Sequence, residues 1–165
     1  MKIKDLTRIA LFVAIMIICS YLTVPFTVPF TLQTLGVFLA VLVLGKNKGS
    51  LAILIYLLLG ICGAPVFSGM KGGITAFLTP TGGYLVAFLI SGYITGFVSE
   101  KTGKTFLSCI AGLVICYICA YFWCFVFYPV KGIFLTMIAP FIIPDILKIS
   151  IAVYISNKLK AYFTA

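Results

Sequence analysis

Apolar residues run along this chain in long blocks cut by proline, glycine and lysine. The blocks cover about 6–23, 30–44, 50–62, 83–98, 105–127 and 137–158. Periodicity says little where helices can be apolar all round, so turn residues and charges mark the boundaries. A membrane-spanning helix needs about 20 mostly apolar residues, and the blocks read as six helices joined by short loops. The second to fourth blocks are shorter than a full span. Their ends therefore borrow from the flanking loops or lie in thinner, protein-lined regions. No internal repeat or low-complexity segment breaks this pattern.

Composition sharpens it. Of 165 residues, 63% are hydrophobic and 9% charged, with a mean hydropathy of +1.26. Soluble domains run nearer 25% charged, so these residues cannot build a water-facing surface. The expectation is an all-α integral membrane protein, a single domain over 1–165, with no room for a nucleotide-hydrolysing unit. The net charge of +9 would suggest nucleic acid in a soluble protein. In a membrane protein it first reports topology. Lys2, Lys4, Arg8, Lys46, Lys48, Lys101, Lys104, Lys158 and Lys160 fall on one side of the six spans, Lys71 and Lys131 on the other, and Lys148 inside the last. The positive-inside rule then places both termini in the cytoplasm, which requires an even number of crossings. The basic start and first apolar run also resemble a signal peptide, but Tyr21 to Pro29 offers no small-residue cleavage site, so the run is read as the first helix.

Several apparent motifs dissolve in this context. The six cysteines, including Cys116 and Cys119 of a Cys-x-x-Cys, lie almost entirely in apolar segments, and the chain has no histidine. They read as small buried hydrophobes. Gly103-Lys104-Thr105 resembles the end of a phosphate-binding loop, but the required earlier glycine is Val98 and no strand precedes it. Without histidine, acid–base catalysis would fall to few carboxylates and lysines. Lys148 beside some serine is the one arrangement left, and the chain is read as no enzyme.

Three features stand above composition. Asp145 and Lys148 sit three residues apart inside the last apolar block, on one helix face about 5–6 Å apart. Such groups cost about 2.5–3.5 kcal/mol each on insertion scales and face a protein interior or a wet cavity. They are read as a ligand site; the alternatives are a self-neutralising packing pair or a lysine snorkelling to the cytoplasm. The second feature is the glycine-rich connection from Gly60 to Leu85, whose one charged residue is Lys71. It reads as a folded lid whose amides and hydroxyls face a small ligand, with Phe67 and Tyr84 supplying flat apolar surface. The third is the stretch from Val24 to Thr34, stiffened by Pro25 and Pro29. It brings Gln33 and Thr34 to the mouth of the bundle, while Phe26 and Phe30 would serve equally as interfacial anchors.

At these residues a resemblance becomes specific. Gln33-Thr34, Leu44-Gly45 with Gly49, Tyr56 through Gly60, Gly63 with Pro65-Val66-Phe67, Pro80-Thr81-Gly82-Gly83-Tyr84-Leu85, and Asp145 with Lys148 together resemble the BioY family. These are the biotin-specific substrate-binding (S) components of energy-coupling factor (ECF) transporters. The similarity runs through nearly the whole chain in one order. It implies a six-helix protein of a prokaryotic cytoplasmic membrane that takes biotin from outside. A transmembrane coupling (T) subunit and a pair of ABC-type ATPases would supply ATP hydrolysis, with no cofactor in this chain and no role for nucleic acid. The whole S component would topple in the membrane to release its ligand. The site residues implied are Asp145, Lys148, Tyr84, Gly83, Gly82, Thr81, Gln33 and Phe67. Ala10 and Ala14, small residues one turn apart on the first helix, are implied as the coupling-subunit contact. One position departs: where the family usually has glycine before the Pro-Thr-Gly-Gly-Tyr run, this chain has Thr79, so the lid geometry before Pro80 is expected to differ.

Biotin offers a neutral ureido ring with N–H donors and a carbonyl acceptor, an apolar thiophane body and a valerate carboxylate. Asp145 and Lys148 match the ureido ring in polarity; alternatively Lys148 takes the carboxylate and Asp145 holds the lysine. In the first arrangement the tail meets Lys71, Lys131 or loop amides at the outer rim. An S component for another vitamin, or a channel or structural subunit, are the competing functions, although a channel would show a more continuous polar helix face.

Overall fold

The computed structural model describes residues 2–24, 30–128 and 132–163. Phe26 and Lys131 lie outside them. The chain forms helix α1 (Ile3–Tyr21), two short strands β1 (Thr23–Val24) and β2 (Phe30–Thr31), helix α2 (Gln33–Ile61), helix α3 (Gly82–Thr102), helix α4 (Thr105–Phe127) and helix α5 (Ala139–Phe163). The strands pair antiparallel, Thr23 with Thr31 and Val24 with Phe30. The block expected at 30–44 therefore opens as strand and turns helical only at Gln33. A π turn, Phe134–Ile138, leads into α5, where Pro140 and Pro144 lack the amide protons that a regular ladder needs. The last helical stretch consequently begins earlier than 137.

The blocks expected at 30–44 and 50–62 arrive as one element, α2, folded back on itself. Gly45 has φ 80° and ψ 170°, a conformation essentially confined to glycine. The Gln33 side chain lies 2.6 Å from the Tyr56 hydroxyl, 23 residues on, whereas a straight helix would separate them by about 35 Å. The two limbs, 33–44 and 46–61, are thus antiparallel. They pack closely because Gly49 has no side chain: a Cβ there would stand 2.5 Å from the Val41 Cα. The tip is held from both sides. Glu100 at the end of α3 accepts the Lys46 backbone N–H at 2.7 Å and sits 3.5 Å from its ammonium, filling an amide left open where the second limb starts. Asp5 in the first turn of α1 pairs with Lys48 at 2.7 Å.

The first limb of α2 is the centre of the bundle. Val37, Phe38, Ala40, Val41 and Leu42 are all buried, and α2 packs against α1, α3 and α5. A limb of 12 residues rises only about 18 Å, less than the roughly 30 Å hydrocarbon thickness. Protein surrounds it, as expected for the short blocks. Among the described residues, four helices are long and apolar enough by length and composition to cross a membrane, namely α3, α4, Phe134–Lys160 and α2 taken end to end across its reversal. Helix α1 carries Lys4, Asp5 and Arg8 in its first two turns and is apolar thereafter. Outward-facing Ile90, Phe97, Val114, Phe122, Ile143 and Ile151 are exposed, an apolar exterior that a water-soluble monomer rarely shows and that lipid would cover.

The hairpin makes a stability prediction. Gly49→Ala forces a methyl against the Val41 backbone and should destabilise by about 1–3 kcal/mol, read as a lower midpoint of thermal unfolding in detergent. An unchanged midpoint would mean that the limbs are not in contact at Gly49.

Candidate functional site

A cavity lies between the upper ends of α2, α3 and α5 and the loops that join α1 to α2 and α2 to α3. Its wall includes Thr31, Gln33 and Thr34 at the start of α2, Phe67, Ser68 and Lys71 from the α2–α3 loop, Thr79, Thr81 and Tyr84 around the start of α3, and Phe141, Asp145 and Lys148 from α5. Six of the eight residues expected in the site, Gln33, Phe67, Thr81, Tyr84, Asp145 and Lys148, line this one space.

Its floor is an ion pair in an apolar bundle. Asp145 and Lys148 are 3% and 4% exposed, and the Lys148 ammonium donates to Asp145 Oδ1 at 2.8 Å. The expected juxtaposition on one face is therefore a direct contact. Three further groups complete it. The Thr34 hydroxyl donates to the same Oδ1 at 3.2 Å, the Tyr117 hydroxyl donates to Oδ2 at 2.7 Å, and the ammonium lies 4.0 Å from the centre of the Phe30 ring. Phe30 in turn stacks on Phe141. A carboxylate has about four lone-pair positions and an ammonium three protons. Asp145 thus keeps one acceptor position on Oδ2, and Lys148 keeps one N–H after Asp145 and the ring face are served. The pair can accept one hydrogen bond and donate another to a ligand beside it.

A second network fixes the wall above. Gln33 donates to the Tyr56 hydroxyl, which donates to the Val66 carbonyl at 3.1 Å, and Ser20 donates to that carbonyl at 2.6 Å. One loop carbonyl so ties together α1 and both limbs of α2. Phe67 follows it inward, edge-on to Tyr56 and Phe77, its ring filling the space that a side chain at Gly60 would occupy. The Tyr21 hydroxyl donates to the Pro65 carbonyl at 2.6 Å, and the Phe67 amide donates to the Lys71 carbonyl at 2.9 Å. The glycine-rich connection is a folded lid, as expected.

The run before α3 is equally anchored. The Thr79 carbonyl accepts the Gly82 amide at 2.8 Å and the Trp123 indole N–H at 3.2 Å, while its hydroxyl donates to the Ala76 carbonyl at 2.7 Å. Among the described residues, Met70 alone of the non-glycine residues has a positive φ, so Thr79 occupies a conformation open to a β-branched residue. The Thr81 hydroxyl meets that of Thr79 at 3.0 Å. Tyr84 donates to the Met137 carbonyl of the π turn at 2.6 Å and packs edge-on against Tyr117. Gly82 and Gly83 stand behind the wall: a side chain on Gly82 would strike the Phe77 carbonyl, and one on Gly83 would meet Trp123 and Ala120. What the structure gives them is close packing.

Tyr117 and Tyr56, with Thr31 and Ser68 of the cavity wall, are polar groups of the site to which sequence reasoning gave no role. Tyr117 lies between Cys116 and Cys119 in an otherwise apolar helix, and its single hydroxyl was the only signal. Phe30, which fitted an interfacial anchor equally well, instead faces the lysine. Ala10 and Ala14 are exposed on the outside of α1, away from the cavity.

The structure is thus a largely helical, apolar bundle enclosing a cavity with a balanced ion pair at its floor and a folded loop along its wall. A family model described as the BioY family matches residues 1–165. The chain belongs to the BioY family. It is 42% identical to the probable biotin transporter BioY of Pyrococcus horikoshii over 97% of this chain and 98% of that one. It is 35% identical to the biotin transporter BioY of Thermotoga maritima over 95% and 96%. A crystal structure of the S component for biotin from an ECF-type ABC transporter superposes with a TM-score of 0.87 at 28% identity, covering 96% of this chain and 92% of that one.

The ion pair predicts a non-additive result. Lys148→Met alone leaves the Asp145 carboxylate buried without its countercharge and should cost about 3–5 kcal/mol. Lys148→Met combined with Asp145→Asn removes both charges and should recover much of that loss in thermal unfolding. Additive losses in the double variant would show that the two groups do not act as a pair.

Proposed function

We propose that this protein captures biotin from the outer side of the cytoplasmic membrane of a prokaryote and serves in its uptake as the S component of an ECF-type transporter. The observation that carries this reading is the unused valence at the floor of the cavity. One acceptor position on Asp145 and one donor on Lys148 stand side by side, which is the pattern an N–H and the adjacent carbonyl of a ureido ring require. The charges balance within the protein, so a neutral head fits without adding net charge to a buried site. A carboxylate placed there would compete with Asp145 for Lys148 while meeting like charge. Phe67, Phe141 and Tyr84 offer apolar surface to the thiophane body, and Gln33 and Thr81 offer polar groups along the wall. Gly82 and Gly83 would act by letting α3 start close to the lid and to α4.

Six crossings follow when α1 and the two limbs of α2 are counted separately. The hairpin tip with Lys46 and Lys48 lies at the same end as Asp5 of α1 and Glu100 of α3, and the positive-inside rule makes this basic end cytoplasmic, with both termini. The cavity then opens to the outside. Ala10 and Ala14 present a small, apolar, outward-facing patch through which a T subunit can pack closely on α1. With it would come the paired ATPases that hydrolyse ATP.

Calorimetric titration of the purified, ligand-free protein with biotin should show one-to-one binding, weakened at least tenfold by Asp145→Asn and by Tyr117→Phe in proteins that remain folded. Folded wild type that ignores biotin would reject the ligand, and a panel of other vitamins would be next. Binding unchanged in both variants would keep the ligand and move the site.

The coupling patch predicts a separation of activities. Ala10→Trp should leave biotin affinity within about twofold and abolish uptake in cells that also express the T subunit and the ATPases. Uptake at the wild-type rate would remove α1 from that contact.

A further inference from the structure

The chain contains three Asp and Glu residues in all, and each is paired with a lysine: Asp5 with Lys48, Glu100 with Lys46 and Asp145 with Lys148. Lys71 lines the same cavity as Asp145 and Lys148 but sits at its outer edge, exposed, on the α2–α3 loop. Among the described residues it has no carboxylate to meet. It is also not adrift. Its carbonyl takes the Phe67 amide, closing an antiparallel bridge between Phe67 and Lys71. The turn between them uses two consecutive left-handed residues, Gly69 at φ 70° and Met70 at φ 56°. A left-handed non-glycine residue is uncommon and strained, so the loop holds this lysine in place at some cost. The next residue, Gly72, runs so close to the Ala64 carbonyl that no side chain fits there, which fixes the stem from the other side.

We infer that Lys71 is the specificity-determining residue for the anionic end of the ligand, holding the carboxylate at the lid while the neutral head occupies Asp145 and Lys148. This rests on the biotin reading above. The two cavity lysines then divide the work by environment. Lys148, buried and already neutralised, directs a hydrogen bond; Lys71, exposed and without an internal counterion, supplies net charge. The shared chemistry of an anion at Lys71 also suits a lipid headgroup phosphate, and the test separates the two.

The test compares biotin with its neutral carboxamide, in wild type, Lys71→Met and Lys71→Arg, by calorimetry in a neutral detergent. Met keeps the stem and removes the charge, and the lid bridge uses backbone atoms that the substitution leaves alone. Wild type and Lys71→Arg should prefer biotin to the amide by at least tenfold, and Lys71→Met should bind the two within about twofold of each other. A wild-type preference that persists in Lys71→Met would overturn the inference and assign the carboxylate to Lys148 or to loop amides. Equal binding of both ligands by wild type would overturn it as well. Loss of co-purifying phospholipid in Lys71→Met, with the preference unchanged, would assign the lysine to a headgroup. Failure of the biotin reading is distinct from all of these, because wild type would then bind neither compound.

Discussion

One buried ion pair sets the terms for the rest of this structure. Two opposite charges in an apolar bundle are tolerated only when each is neutralised and its remaining hydrogen-bonding capacity is largely met. Asp145 and Lys148 meet the first demand through each other. The second recruits Thr34 from α2, Tyr117 from α4 and Phe30 from β2, so three elements converge on a single pair from α5. The satisfaction is nearly complete, and the small remainder is the chemistry available to a ligand. A fully satisfied pair would be structural only. One left further open would favour hydration or neutralisation of its charges.

That convergence depends on how α2 is built. Thr34 reaches Asp145 because the first limb is short and begins deep within the protein, immediately after the β1–β2 ribbon. A full-length helix in its place would carry the start of α2 out towards the membrane surface. The turn at Gly45 lets the chain reverse after 12 residues, and the second limb returns Tyr56 to the level of Gln33. From there the hydrogen bonds pass to the Val66 carbonyl and into the lid. Floor and lid are therefore both referred to the same hairpin, through Thr34 on one side and Gln33 on the other. The partly exposed pairs at its tip, Lys46 with Glu100 and Lys48 with Asp5, contribute little energy individually, but they fix the tip where α1 begins and α3 ends.

Much of this was legible in the sequence, for identifiable reasons. Ionisable residues are so expensive in an apolar block that Asp145 and Lys148 announce themselves. Glycines and scarce charge marked the connection from Gly60 to Leu85 as folded, while residues 25–29 of the other loop lie outside the described residues. The hairpin at Gly45 was legible as two short blocks because Lys46 and Lys48 cut the apolar run. The contribution of Tyr117 was not, because a tyrosine in a membrane helix is equally at home at an interface, and only the packing of α4 against α5 turns its hydroxyl towards the carboxylate. Gly82 and Gly83 carried the opposite ambiguity. Their motif points to a ligand, and the backbone shows that they make room for Phe77, Trp123 and Ala120. Thr79, whose β-branch raised the expectation of a different lid geometry before Pro80, has a backbone that is not left-handed, and its hydroxyl and carbonyl are both used.

The distribution of charge also bears on movement. If the whole component topples, as the resemblance to the family implies, its cavity end would move towards the hydrocarbon, and each uncompensated charge there would raise the cost. Among the described residues the loops at the cavity end hold one such charge, Lys71, since the acids of the chain are paired elsewhere. A carboxylate seated on that lysine replaces two hydrated ions with one pair that is neutral overall. The loaded protein would then reorient more readily than the empty one, because occupancy changes the electrostatic cost of tilting even if the helices keep their packing. Placing the balanced pair at the floor and the unbalanced lysine at the lid would thereby let one ligand both fill the site and lower the barrier to its own transfer.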